Sequence, residues 1–209
     1  MTASTPTSAT PQAPTMPADP RPAFRVATAW VTGLLAGTGD DQLDAPTPCD
    51  EFDVRTLSAH MVATAQRARA LADGADVRAM PTIAEHHDAG TYSALVEAAL
   101  ESWADDAALS RMVQVPWGEV PGAGALWGYV SETLVHGWDL AVATGQPAET
   151  DPETAEATLA VARQFIPAEI RTDPIVPFGV VVEPRPAAGP TERLANWTGR
   201  ESAGWSTAS

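Results

Sequence analysis

The chain has 209 residues, with 12 basic residues that are all arginine against 27 acidic ones, for a net charge of −15. A field of that sign repels phosphate backbones and anionic bilayers, so nucleic acid and membrane surfaces are poor partners and good solubility is expected. Cys49 is the single cysteine, which excludes an internal disulfide and a thiolate-rich metal site.

The length suits one domain with a real core. Residues 1–22 are rich in Pro, Thr, Ala and Ser and bury too little to offset the entropy of ordering, so a disordered tail is expected there. That stretch has neither the basic start nor the apolar run of a secretory signal. No later run approaches the ~20 apolar residues that span a bilayer, so the cytoplasm is the expected compartment.

From Phe24 the apolar residues Val26, Ala27, Trp30, Val31, Leu34 and Leu35 recur at helical spacing until Gly37, which predicts a first helix over about 22–37. A turn-rich link, Asp44 to Phe52, leads to Asp53 as an N-cap. Val54, Leu57, Met61, Val62, Ala65, Ala68 and Leu71 then mark a second helix ending by Gly74. His60 lies within it. Tyr92 to Trp103 reads as a third helix, with Asp105 and Asp106 leading out, and Val113 to Pro121 as an extended crossover around Pro116 and Trp117. A fourth helix begins near Gly122, presents Leu126, Trp127, Tyr129, Val130, Leu134, His136 and Leu140, and stops at Gly145. Asp151 caps a fifth, with Pro152 in the tolerant first turn. Pro174 to Pro184 is too proline-broken for an interior strand, and Thr191 to Trp197 forms a last amphipathic turn. The fold class expected is all-α, a four-helix bundle with one long crossover and irregular extended segments.

Glu132 and His136 are four residues apart, so on a helix they project from one face toward one point. If His60 closes on them from the second helix, the result is a two-histidine, one-carboxylate site for a divalent ion with an open coordination position. Such a pair alone more usually means an exposed ion pair, but the apolar neighbours Leu134, Trp138 and Leu140 leave it little access to water. A lone histidine beside an apolar stripe is more often a hydrogen-bonded core residue. His86 and His87, beside Glu85 and Asp88, have the surroundings of an exposed loop and receive no metal role. Asp139 either orients a ligand imidazole or caps a neighbouring segment, with capping favoured. Cys49 is either a nucleophile or a packing residue. Packing is favoured because no histidine or cation lies near it in sequence. Most of the seven tryptophans are expected in the core, with Trp117, Trp127 and Trp138 available to line a pocket mouth.

Four blocks, Thr47 to His60, Pro121 to Leu126, Glu132 to Ala141 and Glu192 to Arg200, resemble the mycothiol-dependent maleylpyruvate isomerase family. This is an actinobacterial branch of the DinB-like metal-binding bundles, and the likeness runs over about 23–205, leaving 206–209 as a loose C-terminus. In particular the chain resembles the short, single-domain members. The resemblance implies that His60, Glu132 and His136 bind a divalent metal, usually zinc, and that a low-molecular-weight thiol such as mycothiol is a cofactor. It further implies a small electrophilic substrate attacked by a metal-activated thiolate, in an isomerase or an S-transferase. A metal-dependent hydrolase, a non-catalytic ion clamp and a metal-free bundle with a buried histidine network stay open as alternatives. Bundles of this kind often associate through an exposed apolar helix face, which puts a homodimer among the expected partners.

Overall fold

A computed structural model describes residues 19–116, 118–172 and 178–205. Its helices are α1 (Arg21–Ala36), α2 (Val54–Ala72), α3 (Ala89–Ser102), α4 (Asp106–Ser110), α5 (Gly122–Thr144), α6 (Pro152–Phe165) and α7 (Pro190–Trp197). The bundle is made of α1, α2, α3 and α5. Both α1 and α2 pack against α3 and against α5, so α1 and α2 occupy opposite corners. The last two helices lie against α5, which therefore has neighbours on most of its circumference. Its sequence explains the position: Leu126, Val130, Leu134, Trp138 and Leu140 are all almost wholly buried, and a helix apolar nearly all round is stable only inside.

The helix ends follow from local chemistry. The Asp53, Asp88 and Asp151 side chains accept hydrogen bonds from the backbone N–H of Thr56, Thr91 and Thr154, satisfying donors that the first turn leaves unpaired. At the far end of α5, Gly145 has φ +69°, a left-handed turn that an L side chain would resist. Trp103 donates its indole N–H to the Ala68 carbonyl at 3.0 Å, tying α3 to α2.

Two elements differ from the sequence expectation. The extended crossover is an antiparallel hairpin of β1 (Met112–Val115) and β2 (Gly118–Pro121), paired from Met112↔Pro121 to Val115↔Gly118. Pro116 stands at the turn, where its missing N–H breaks no pairing. The short α4 was also not anticipated, because five residues are too few to display a period. The first helix starts at Arg21, inside the stretch read as a tail, while residues 1–18 and 206–209 lie outside the described residues. Trp117 and residues 173–177 of the proline-rich segment lie outside them too, and 178–184 forms no strand.

Candidate metal centre

The trio comes together where α2 faces α5. His60 is 8% exposed, and the side chains of Glu132 and His136 are 33% and 13% exposed. One ligand atom from each lies within 4.8 Å of those of the other two. His60 Nε2 is 3.1 Å from Glu132 Oε1, and Thr64, one turn along α2, donates its hydroxyl to the same oxygen at 3.2 Å.

Each imidazole is held from behind. The Nδ1–H of His60 donates to the Thr82 carbonyl at 2.8 Å, and since a carbonyl only accepts, the proton belongs on Nδ1. His136 Nδ1 lies 3.0 Å from Asp139 Oδ2. Asp139 is fully buried and in turn accepts from Arg200 Nε at 3.0 and 3.1 Å. Both rings therefore have Nε2 as the nitrogen left for a ligand. A histidine whose other nitrogen is fixed by a carboxylate or carbonyl is the usual arrangement around a bound metal. The two rings meet edge to face at 77° with centroids 4.8 Å apart, and Phe52 stands 5.2 Å from one and 6.4 Å from the other. This apolar neighbour raises the strength of electrostatic contacts within the site.

Burial opposes charge on His60, but the hydrogen bond and charge of Glu132, helped by the Thr82 carbonyl, outweigh it and raise the His60 pKa. Burial likewise opposes charge on Glu132, yet the His60 hydrogen bond and the charges of His60, His136 and Arg67 bring its pKa down. Without metal the two form an ion pair. The donor set of two imidazoles and one carboxylate suits a divalent zinc-like ion. The 3.1 Å separation of His60 Nε2 from Glu132 Oε1 is near the roughly 3.4 Å edge that tetrahedral bonds of about 2.0–2.1 Å give. Beside the trio is a cavity of about 10 Å³ lined by Met61, Thr64, Tyr92, Glu132, Thr133 and His136, about the room of one water-sized occupant.

Gly137 explains how a helix can carry His136 and still be packed from behind. A Cβ there would run into the ring of Trp30 and the side chain of Val31, so α1 rests directly on the α5 backbone.

Several sequence expectations need correction. Asp139 caps no neighbouring segment among the described residues; its carboxylate meets His136 Nδ1 and Arg200 instead. Trp127 and Trp138 are 4% and 1% exposed and belong to the interior, not to a pocket mouth. Cys49 is half-buried, and the fold brings it to His136 and Asp139, which sequence distance concealed. Burial raises its thiol pKa although the Arg200 charge works the other way. Its carbonyl accepts from Phe52 N–H at 2.8 Å and from the Thr47 hydroxyl at 3.1 Å, which ties down the loop that carries Phe52. His86 is exposed and His87 half-buried, and neither joins a metal-capable group among the described residues. Thr64, Thr82, Phe52 and Arg200 were missed. Only Thr64, four residues after His60, left a signal in the spacing.

The family model described as the mycothiol maleylpyruvate isomerase N-terminal domain matches residues 24–141, which include all three members of the trio and Asp139. The chain belongs to this family. Two matched proteins of Mycobacterium tuberculosis, one from each of two strains and both uncharacterised, are 34% identical to it over 185 residues, covering 87% of this chain and 98% of theirs. The crystal structure of the mycothiol-dependent maleylpyruvate isomerase is similar in fold, with a TM-score of 0.54 at 19% identity, covering 73% of this chain and 68% of that one. A histidine-to-alanine mutant of that enzyme gives the same TM-score and coverage at 18% identity. Among the described residues no helix is long and apolar enough to cross a membrane.

Proposed function

We propose that this family member holds a divalent cation, zinc first among the candidates, on His60, Glu132 and His136, and uses a mycothiol-type thiol on a small electrophilic substrate. Return of the thiol makes the reaction an isomerisation, and its retention an S-transfer. The observation that carries the reading is the back-tethering of both imidazoles, His60 to Thr82 and His136 to the Asp139–Arg200 pair, which turns two Nε2 atoms and a carboxylate toward one point.

A divalent cation there would supply acidity, lowering the pKa of a thiol from about 8.5 so that the nucleophilic thiolate exists at neutral pH. His60, Glu132 and His136 provide the three protein ligands. Asp139, neutralised by Arg200, keeps the His136 ring in the tautomer that offers Nε2. Phe52 covers both rings and limits water around them. Thr64 holds the Glu132 oxygen that His60 also approaches, so the carboxylate keeps its orientation.

Elemental analysis of the purified protein beside His60→Ala and His136→Ala variants tests the site, with metal expected in the wild type and lost from both variants. Equal metal in all three would remove it. Replacing the native ion with cobalt and adding the thiol then tests the chemistry. A shifted visible spectrum supports thiol activation, whereas thermal stabilisation by metal with no spectral response assigns the ion to clamping α2 and α5.

A further inference from the structure

Among the described residues, two groups of side chains are close enough to hold a cation, and they share one histidine. The first is the trio. The second is Cys49, His136 and Asp139, one ligand atom of each lying within 4.8 Å of those of the other two. Cys49 belongs to neither the trio nor its tethers, and it is the chain's single thiol. Its backbone is pinned. The N–H donates to the Thr47 hydroxyl at 3.2 Å, the carbonyl accepts from Thr47 and Phe52, and the antiparallel bridge Pro46↔Asp53 closes the loop. Asp139 is fully buried on α5, three residues after His136. All three donors are therefore held by packed backbone before any ion arrives, as a ligand set requires.

Geometry and charge suit an ion softer than the one the trio prefers. Tetrahedral bonds of about 2.3 Å to sulfur and 2.0–2.1 Å to nitrogen put those two donors roughly 3.5 Å apart, within the 4.8 Å that encloses the group. Asp139 Oδ2 is 3.0 Å from His136 Nδ1, so an ion taken by both replaces the proton between them. Arg200 Nε holds both Asp139 oxygens, but a carboxylate has about four lone-pair positions and the guanidinium leaves room. Its charge is offset too. A thiolate and a carboxylate together neutralise a divalent ion, so the ion with Arg200 carries the same net charge there as on the trio, where Glu132 is the one anion. Thiolate sulfur draws soft cations, whereas two imidazoles and a carboxylate suit borderline ones. Cys49 is only half-buried, which leaves an ion a way in.

We infer that Cys49, His136 and Asp139 form a second cation position, selective for soft ions such as cadmium, that competes with the trio for His136. A neutral imidazole has one lone pair and one N–H. With the ion on Nδ1 the ring proton moves to Nε2, and His136 has nothing left to offer the trio. The thiol proton of Cys49 passes to solvent as the sulfur binds. The competition rests on the proposed function; the soft-ion position does not.

Cadmium titrated into the full chain after chelation of any bound metal tests it, read by the ultraviolet charge-transfer band of a cadmium-bound thiolate. The single cysteine makes the band's source unambiguous. The wild type is expected to show the band at one cadmium per chain, Cys49→Ser to lose it, and His60→Ala to keep it at wild-type affinity. His136→Ala is expected to bind more weakly by at least the roughly 10–100-fold that loss of even an outer-shell partner costs. In nitrogen-labelled wild type, cadmium is expected to couple to His136 Nδ1, a readout that needs no variant. No band in the wild type, equal cadmium affinity in His136→Ala, or coupling to Nε2 in place of Nδ1 would overturn the site. Zinc then reads the competition. Cadmium is expected to drive zinc from the wild type and to do so less readily in Cys49→Ser, whereas one zinc and one cadmium held together would overturn the shared histidine. A wild type that takes no zinc but shows the band would sink the proposed chemistry and leave the soft-ion site standing.

Discussion

Histidines and carboxylates meet in two regions of this molecule, and they differ in what holds them. Glu85, His86, His87 and Asp88 are consecutive, yet they lie in an exposed or half-exposed loop and form no metal-capable group among the described residues. His60, Glu132 and His136 come from two distant segments but stand on facing rigid helices, each ring fixed from behind. Density along the chain counts for little, because a ligand set needs convergent orientation and partial exclusion of water, and both are properties of packed helices.

The largest break in this contrast is expected from His136→Ala. It should abolish metal in elemental analysis, while a His86→Ala, His87→Ala double variant should retain the full wild-type amount. Asp139→Asn comes next. It leaves Arg200, only 19% exposed, facing a neutral amide, and breaking a buried pair of this kind costs about 3–5 kcal/mol, read as a lower denaturant midpoint. The same variant should weaken metal binding roughly 10–100-fold, since His136 loses its orienting carboxylate.

Gly137→Ala sharpens the comparison from the other side of α5. The added methyl meets Trp30 and Val31, so overpacking should cost about 1–3 kcal/mol in thermal or chemical unfolding. Metal stoichiometry should survive, since no ligand or tether is touched. Asp88→Ala, at the end of the histidine loop, removes the N-cap of α3 and should cost only about 1 kcal/mol, with no change in metal content.

The pH dependence follows from the ion pair in the metal-free protein. The His60 pKa is raised and the Glu132 pKa lowered by their mutual contact. The stabilisation from His60 is fully present below its unfolded value and is lost as pH rises through the raised folded value. That from Glu132 is present above its unfolded value and is lost as pH falls through the lowered one. Metal-free melting temperatures should therefore show an alkaline decline that His60→Ala removes. Metal affinity should climb with pH over the same range, because the ion must displace a proton from His60.

The trio itself was legible in the sequence. The Glu132–His136 step is a property of the helical period, and His60 stood out as a polar residue within an apolar stripe. The helix limits were legible as well, because Asp53, Asp151 and Gly145 act through their own backbone neighbours. The Val113–Pro121 hairpin was seen only as extended chain, since four-residue strands show too little alternation to name a partner. Asp139 was visible but misjudged, because its partner choice depends on Arg200, which reaches it from the far end of the chain.

What the sequence by itself determined is therefore the set of local terms: where helices start and stop, which face is apolar, and which side chains share a face. Tertiary structure alone decided that the Thr82 carbonyl and Arg200 would hold the two imidazoles from behind and that Phe52 would cover them. Periodicity reports only neighbours within a turn or two along the helix. Contacts between remote segments arise from how whole helices and loops pack.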